Sequence, residues 1–440
     1  MNNWILVISL SFLFVLLFLI NNKKFGPQNL MVLSFLVPAI LVVYYEDYIR
    51  YEVGLFTIFV VVLLISMFSL GVFLQPKVKS RESLKYSNAY FVVNKKISNI
   101  FLTVVILNLF VQYRYLMQLG AIYGASNIIA AYSVARLALV DYQNTGIIDV
   151  RMPYYGIILS VFASIIGKIC FHVYVYNRFV RKENDRRLLW VVIVYFMSLL
   201  FATGRAAFLP VLVHAVYVVM VILSTKMSIH KIIKKCLKQI SMTVIVGIAF
   251  FSVLGAMRQN ADGDYSYETD NNFTITTYFA APILGLDVYL KKGAPRSDLF
   301  GEHAFREFYD YARIFGASFQ RSQFHKEDFY AGNISSNVFT GLYYWISDFS
   351  IFGACFYALF WGAVVGYFYR RKVSPSNIVG VYFRSLLYYS IIQMFYDDQF
   401  NSIVSFFTLF GIYIIILFQK KCRYIKYNNV SKYEKNRHIV

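Results

Sequence analysis

Carboxylates are scarce in this chain. There are 23 Asp and Glu against 43 Lys and Arg in 440 residues, and charged residues of both signs make up only 15%. A water-soluble surface carries more ionised side chains than that, so one soluble domain around one core is excluded. Cysteine is nearly as rare. Cys170, Cys236, Cys355 and Cys422 fall in apolar stretches or basic segments, with neither a paired metal-site spacing nor a disulfide framework. The first apolar stretch has no basic leader. It opens Met1, Asn2, Asn3, Trp4, and Lys23 and Lys24 come after it, which argues against a cleaved signal peptide. Tandem repeats and two-fold hydropathy symmetry are also missing, and that weighs against inverted-repeat transporters.

Hydrocarbon is what the chain has in quantity: 58% of residues are hydrophobic and 19% aromatic. A membrane-crossing helix takes about 20 mainly apolar residues, and the sequence predicts about eleven, near 4–20, 29–43, 53–74, 97–116, 153–176, 188–203, 206–224, 239–256, 349–369, 378–395 and 401–418. The fold class is therefore an all-α polytopic membrane protein with one large external loop. Its divisions are an N-terminal membrane region over 1–256 with an external loop at 117–152, a long loop over 257–348, a C-terminal membrane region over 349–418, and a basic tail over 419–440. The apolar end of the long loop, Asn337 to Ile346, is too short to span and reads as interfacial or re-entrant.

Basic residues orient these spans. Lys and Arg gather in alternate connecting segments: Lys23 and Lys24, Lys77 to Lys96, Arg178 to Arg187, Lys226 to Lys238, Arg370 to Lys372, and the tail from Lys420 to Arg437. Among them stand only the acids Glu82, Glu183, Asp185 and Glu434, while Asp262, Asp287, Asp298, Glu302, Glu307 and Asp310 lie in the intervening segments. Basic loops stay in the cytoplasm, so the N-terminus is external and the C-terminus cytoplasmic. The net charge of +20 is thus a topology signal that meets anionic lipid, and no nucleic-acid partner is expected. Lys168 and Arg384 fall inside spans near their cytoplasmic ends and read as snorkelling interface anchors.

Arginine on the external side needs another explanation. Arg205 sits in a tight turn after Thr203 and Gly204, Arg258 follows the span ending Leu254, Gly255, Ala256, Met257, and Arg321 lies in the long loop. A guanidinium beside the open amides of a helix start is an anion site, and converging arginines suit a pyrophosphate. An external proton acceptor is either His325, four residues from Arg321, or a carboxylate, with Asp348 and Glu302 in line; His303 is the lesser candidate of the two external histidines. Asp348, at the edge of hydrocarbon, must pair with arginine, cap the following helix or touch a ligand. Tyr343, Tyr344 and Trp345 beside it offer faces to sugar rings or form an interfacial belt. The external acids are scattered, so no metal site is expected.

The string TGRAAFLPVLVHAV, the external Arg258, the run YFAAPILGLDVYL and the stretch NVFTGLYYWISDFSIFGACFYALFWGAVVGYFY together resemble the O-antigen (Wzy-type) oligosaccharide repeat-unit polymerases. Asn337, Thr340, Asp348, Phe349 and Gly353 match that family's Asn-x-x-Thr and Asp-Phe segment, and the likeness covers roughly residues 190–370. Arg321 and Gly332 fit its Arg-x10-Gly motif once; the other long external loop has no match. The resemblance implies a GT-C-like fold and a metal-independent glycosyltransferase of the bacterial inner membrane, without cofactor. Such an enzyme extends an undecaprenyl-pyrophosphate-linked glycan for O-antigen or capsule. Arg205, Arg258 and Arg321 would hold the pyrophosphate, His325 and Asp348 would be catalytic, and Asn337, Tyr344 and Trp345 would bind sugar. Its partners would be the lipid-linked oligosaccharides, membrane lipid and a chain-length regulator. An O-antigen ligase and a lipid-linked oligosaccharide flippase are the alternatives.

Topology can be checked directly. Reporter fusions after Lys96, Arg187, Lys238 and Lys372 are expected to read cytoplasmic, and one near Glu302 external; a cytoplasmic signal at Glu302 overturns the orientation.

Overall fold

The structure, a computed structural model, describes residues 2–76, 89–132, 134–135, 152–181, 185–201, 208–224, 276–306, 308–309, 312, 329–403, 405–421 and 423–426. In chain order the helices are α1 (Asn2–Ile20), α2 (Pro27–Tyr44), α3 (Leu55–Leu74), α4 (Lys95–Ile122), α5 (Tyr154–Arg181), α6 (Arg186–Leu200), α7 (Phe208–Ser224), α8 (Ala281–Lys291), α9 (Gly341–Arg370), α10 (Ile378–Gln393) and α11 (Phe406–Lys421). Single turns cover Glu46–Ile49 and Phe400–Ile403. Strand β1 (Ala89–Val92) pairs antiparallel with β4 (Arg423–Lys426), and β2 (Phe329–Ala331) with β3 (Ile334–Ser336).

Helices dominate because a bilayer leaves backbone amides no other partner. Among the described residues α1, α2, α3, α4, α9 and Tyr154–Phe179 of α5 are long and apolar enough to cross a membrane, and Phe208–Ser224 and Thr408–Phe418 are shorter apolar helices. By length and composition this is a helical multi-pass membrane protein. The span expected near 239–256 lies outside the described residues.

The chain folds into two compact units, each assembled from separate stretches: Met1–Arg81, Glu268–Lys372 and Leu386–Leu409 in the first, Glu82–Tyr267, Val373–Ser385 and Phe410–Val440 in the second. In the first, α3 lies against α9 with backbones nearly touching. A Cβ at Gly71 would strike the Leu359 carbonyl, one at Gly362 the Phe68 carbonyl, and one at Gly366 would come within 2.7 Å of the Val72 carbonyl. Gly362 and Gly366, four apart on one face, let two apolar helices gain dispersion contact that lipid alone would not reward. The run expected to be interfacial or re-entrant forms the leading part of α9. It is set off by Ser350, whose φ of 60° and ψ of 173° interrupt the helix.

In the second unit polar side chains join α4, α5 and α6. Asn108 Nδ2 donates to Ser198 Oγ at 3.1 Å, Gln112 Nε2 to Ser160 Oγ at 2.7 Å, and Ser160 Oγ to Asn108 Oδ1 at 3.0 Å. The β1–β4 pair brings two of the basic segments to one end of this unit, where Asn177 exchanges hydrogen bonds with both the amide and the carbonyl of Phe91.

Gly362→Val is expected to cost on the order of 2 kcal/mol by forcing α3 and α9 apart. Thermal unfolding in detergent measures it.

Candidate functional site

Segments that the charge pattern groups together converge at one end of the first unit, and buried aspartates join them. Asp287, on α8, is fully buried. Its Oδ1 accepts from the Gly54 amide at 2.8 Å and Thr57 Oγ1 at 2.5 Å; its Oδ2 accepts from Tyr51 OH at 2.7 Å and pairs with Lys291 at 2.7 Å. Gly54 precedes α3, so Asp287 caps that helix from a distant segment, satisfying amides the helix cannot pair itself. Asn3 ties in the same neighbourhood, bonding to Glu46, the Tyr51 carbonyl and the Val53 amide. The β2–β3 turn docks there too. Asn333 donates to the Ile49 and Tyr48 carbonyls, and Gly332, with φ of 59°, packs on the Ile49 carbonyl where a Cβ would collide. Turn geometry alone accounts for Gly332 of the Arg-x10-Gly match.

Asp348 works the same way on another segment. Its carboxylate accepts from Ser297 Oγ at 3.2 Å, from the His303 amide at 3.0 Å and from the Ala304 amide at 2.8 Å. It therefore caps the turn starting at Gly301. Neither an arginine pair nor a cap on its own helix is present among the described residues. Asp398 completes the set: Oδ2 accepts from Trp345 Nε1 at 2.9 Å and Oδ1 from the Phe400 amide at 2.8 Å. Trp345 is fully enclosed, with its ring packed on Tyr357 and Phe400, so it is a core residue with no face open to a sugar. Tyr344 is half-buried and Asn337 exposed.

Around these pins lies a polar group of mixed charge. His303 is buried; its ring stands 5.1 Å from that of Tyr344, its Nε2 lies 3.9 Å from Asp348 Oδ1, and its carbonyl accepts from Asn401 Nδ2 at 3.2 Å. Glu302 is buried beside it, and the exposed Arg306 acts electrostatically on Asp397 and Tyr344. Asp397 is half-buried and accepts from Gln399 Nε2 at 2.6 Å. Of the residues expected from sequence, Asp348 and Tyr344 belong to this group; Arg205, Arg258, Arg321 and His325 lie outside the described residues. Arg306, Asp397, Asp398 and Asn401 were not anticipated. The signal for Asp397 and Asp398 was the adjacent acids in YDDQF, a five-residue link between two apolar stretches with no lysine or arginine. Among the described residues no group of His, Cys, Asp and Glu is arranged to hold a metal ion.

The second unit holds a separate polar cluster inside its helices. Lys168 and Arg384, expected to snorkel, are buried at 7% and 9% exposure; protein, not lipid, surrounds them. Lys168 Nζ lies 5.5 Å from the Tyr382 ring, and Tyr217 is hydrogen-bonded to Arg384. His172 Nε2 faces the Pro375 carbonyl at 2.7 Å and must donate to it. Ser385 Oγ donates to the Tyr382 carbonyl at 2.6 Å, so His214 Nδ1, 2.8 Å away, donates to Ser385. Both imidazoles are thereby set in one tautomer, with rings 6.5 Å apart and with His172 Nδ1 and His214 Nε2 lacking hydrogen-bond partners.

No protein-family model matches the chain, and neither does any curated protein or solved structure. Fold and site define a helical multi-pass membrane protein with an enclosed polar site at one end of its first unit. Anything finer rests on the residues themselves.

Burial pushes Asp398 up to about 7, against hydrogen bonds from Trp345 and the Phe400 amide, and pushes Asp397 up to about 6. A carboxyl raised in the folded state holds its proton more tightly there than in the unfolded chain. Stability from these groups is therefore greatest below about pH 4 and is lost as pH rises towards 7. Asp398→Asn is expected to flatten the fall in unfolding temperature between pH 4 and 7; an unaltered slope would show that Asp398 ionises normally.

Proposed function

We propose that this protein polymerises undecaprenyl-pyrophosphate-linked oligosaccharide repeat units by glycosyl transfer on the external face of a bacterial inner membrane, through about eleven spans in a GT-C-like arrangement. One observation carries the reading. Asp348, of the Asn337, Thr340, Asp348 run that resembles the polymerases, joins the polar group that holds His303 and Tyr344, in segments the charge pattern reads as external. A lipid pyrophosphate leaves readily once a cation takes its charge, so the protein has mainly to position two lipid-linked substrates, supply arginine and accept a proton. Arg205, Arg258 and Arg321 remain the proposed pyrophosphate ligands, His325 a proposed base, and Asn337 and Tyr344 proposed sugar contacts. Neither a metal nor a cofactor is required.

A flippase is the second reading, because one observation favours it. Buried cationic side chains within apolar helices mark transport pathways in many membrane proteins, and Lys168 and Arg384 have no carboxylate partner among the described residues. The sequence lacks the repeat symmetry that usually accompanies such pathways.

Deletion of the gene followed by glycan length analysis separates the readings. A single-repeat product is expected; unattached polymer would indicate an O-antigen ligase, and no surface glycan a flippase. Arg205→Ala is expected to abolish extension with the protein still in the membrane, and Arg205→Lys to restore part of it, since lysine lacks the bidentate fork. Extension by purified enzyme should persist in excess chelator.

A further inference from the structure

Four aspartates meet at the converging end of the first unit, and their surroundings differ in a way that separates structural acids from a reactive one. Asp287, Asp348 and Asp398 are enclosed, at 0%, 5% and 2% exposure, and each accepts at least one hydrogen bond from a donor on another segment. Enclosure leaves these three carboxylates no open side towards a ligand. Asp397 is the exception. It is half-buried, and its carboxylate is held by the Gln399 side chain and the Asp398 amide, both from its own turn. Among the described residues no hydrogen bond from another segment to its carboxylate is seen.

Its position is nonetheless well defined. The Tyr396 and Asp397 amides donate to the Gln393 carbonyl at 2.8 and 2.9 Å, extending α10 by a turn. Asp398 anchors the next residue to Trp345, and Asn401 ties the same link to the His303 carbonyl. The groups acting on Asp397 from these elements are Arg306 from the segment after Gly301, Tyr344 from α9, Tyr389 from α10 and Asp398 beside it. A carboxylate partly open to ligand, within electrostatic reach of an exposed guanidinium and a half-buried tyrosine, has the composition that glycosyl transfer from a pyrophosphate needs.

We infer that Asp397 is the base that takes the proton from the acceptor sugar hydroxyl, with Arg306 beside it facing the leaving pyrophosphate. The inference rests on the polymerase reading. In the step, the acceptor O–H bond breaks and its proton passes to the Asp397 carboxylate. The acceptor oxygen forms a bond to the donor's anomeric carbon as the bond from that carbon to the pyrophosphate oxygen breaks. The electron pair leaves on pyrophosphate, whose charge Arg306 offsets, and the carboxyl proton later returns to water. Burial supports this role by pushing Asp397 up to about 6, which makes it a stronger base than an exposed aspartate while leaving it mostly ionised at neutral pH.

The test uses the purified full-length protein and lipid-linked repeat units from a strain lacking this gene. Wild-type extension is expected to fall about tenfold per pH unit below about pH 6. Asp397→Asn, which preserves shape and the Gln399 contact, is expected to lose two to four decades of rate, roughly the weight of a general base, with a near wild-type unfolding temperature. Asp397→Glu should retain partial activity with a displaced acid limb, a shift that a purely structural role would not produce. Asp398→Asn should lower stability and keep the limb where it is. Wild-type rate and pH profile in Asp397→Asn would overturn the inference and leave the polymerase reading standing, with His325 the next base to test. A wild-type protein that extends nothing would overturn the reading itself.

Discussion

A buried carboxylate accepting hydrogen bonds from a remote segment recurs among the described junctions of the first unit. Asp287 caps the helix that begins after Gly54, Asp348 caps the turn that begins at Gly301, and Asp398 holds both the Trp345 indole and the turn at Phe400. The physical need is common to all three. Helix starts leave amides unpaired, and at the edge of hydrocarbon no water is reliably present to take them. A carboxylate satisfies one or two of them together with side-chain donors, and each such bond to a charged acceptor is stronger than a neutral one. Loops that would otherwise stray are thereby drawn into one surface, and the polar group around His303 exists because they are.

Below that end, packing follows a different rule. Apolar side chains gain little by leaving lipid for one another, so α3 and α9 are held by close backbone approach at Gly71, Gly362 and Gly366. The break at Ser350 then lets the leading part of α9, which carries Tyr344, Trp345 and Asp348, depart from the direction of the remainder. The membrane-embedded part and the site-bearing part of one helix can thus answer to separate constraints.

The second unit pairs much of its polarity internally. Asn108, Gln112, Ser160 and Ser198 satisfy one another across three helices, and His172, His214 and Ser385 are set by bonds to carbonyls and hydroxyls. Burying Lys168 and Arg384 inside this unit is costly. The sequence marked both as long cations near span ends, for which the interface is the commonest resting place. Only the packing of α5, α7 and α10 around them decided otherwise.

The helical, multi-pass character of the protein was legible in the sequence, because span length and apolar composition are properties of contiguous residues and need no partner. Asp348 stood out for the same reason, as a charge at the edge of an apolar run. Its occupation could not be read. The amides of His303 and Ala304 are more than forty residues away in the chain, and nothing local in either segment announces the other. Trp345 shows the converse: a tryptophan among tyrosines looks like a sugar platform until its indole is found donating to Asp398 inside the core. Asp397 and Asp398 are identical neighbours in sequence, yet one is enclosed and spent on two donors while the other stays partly open beside Arg306. Periodicity and charge sorting determine which residues enter the membrane. Which carboxylate is enclosed and which stays partly open depends on the segments the folded chain brings around it, and only the tertiary structure decides that.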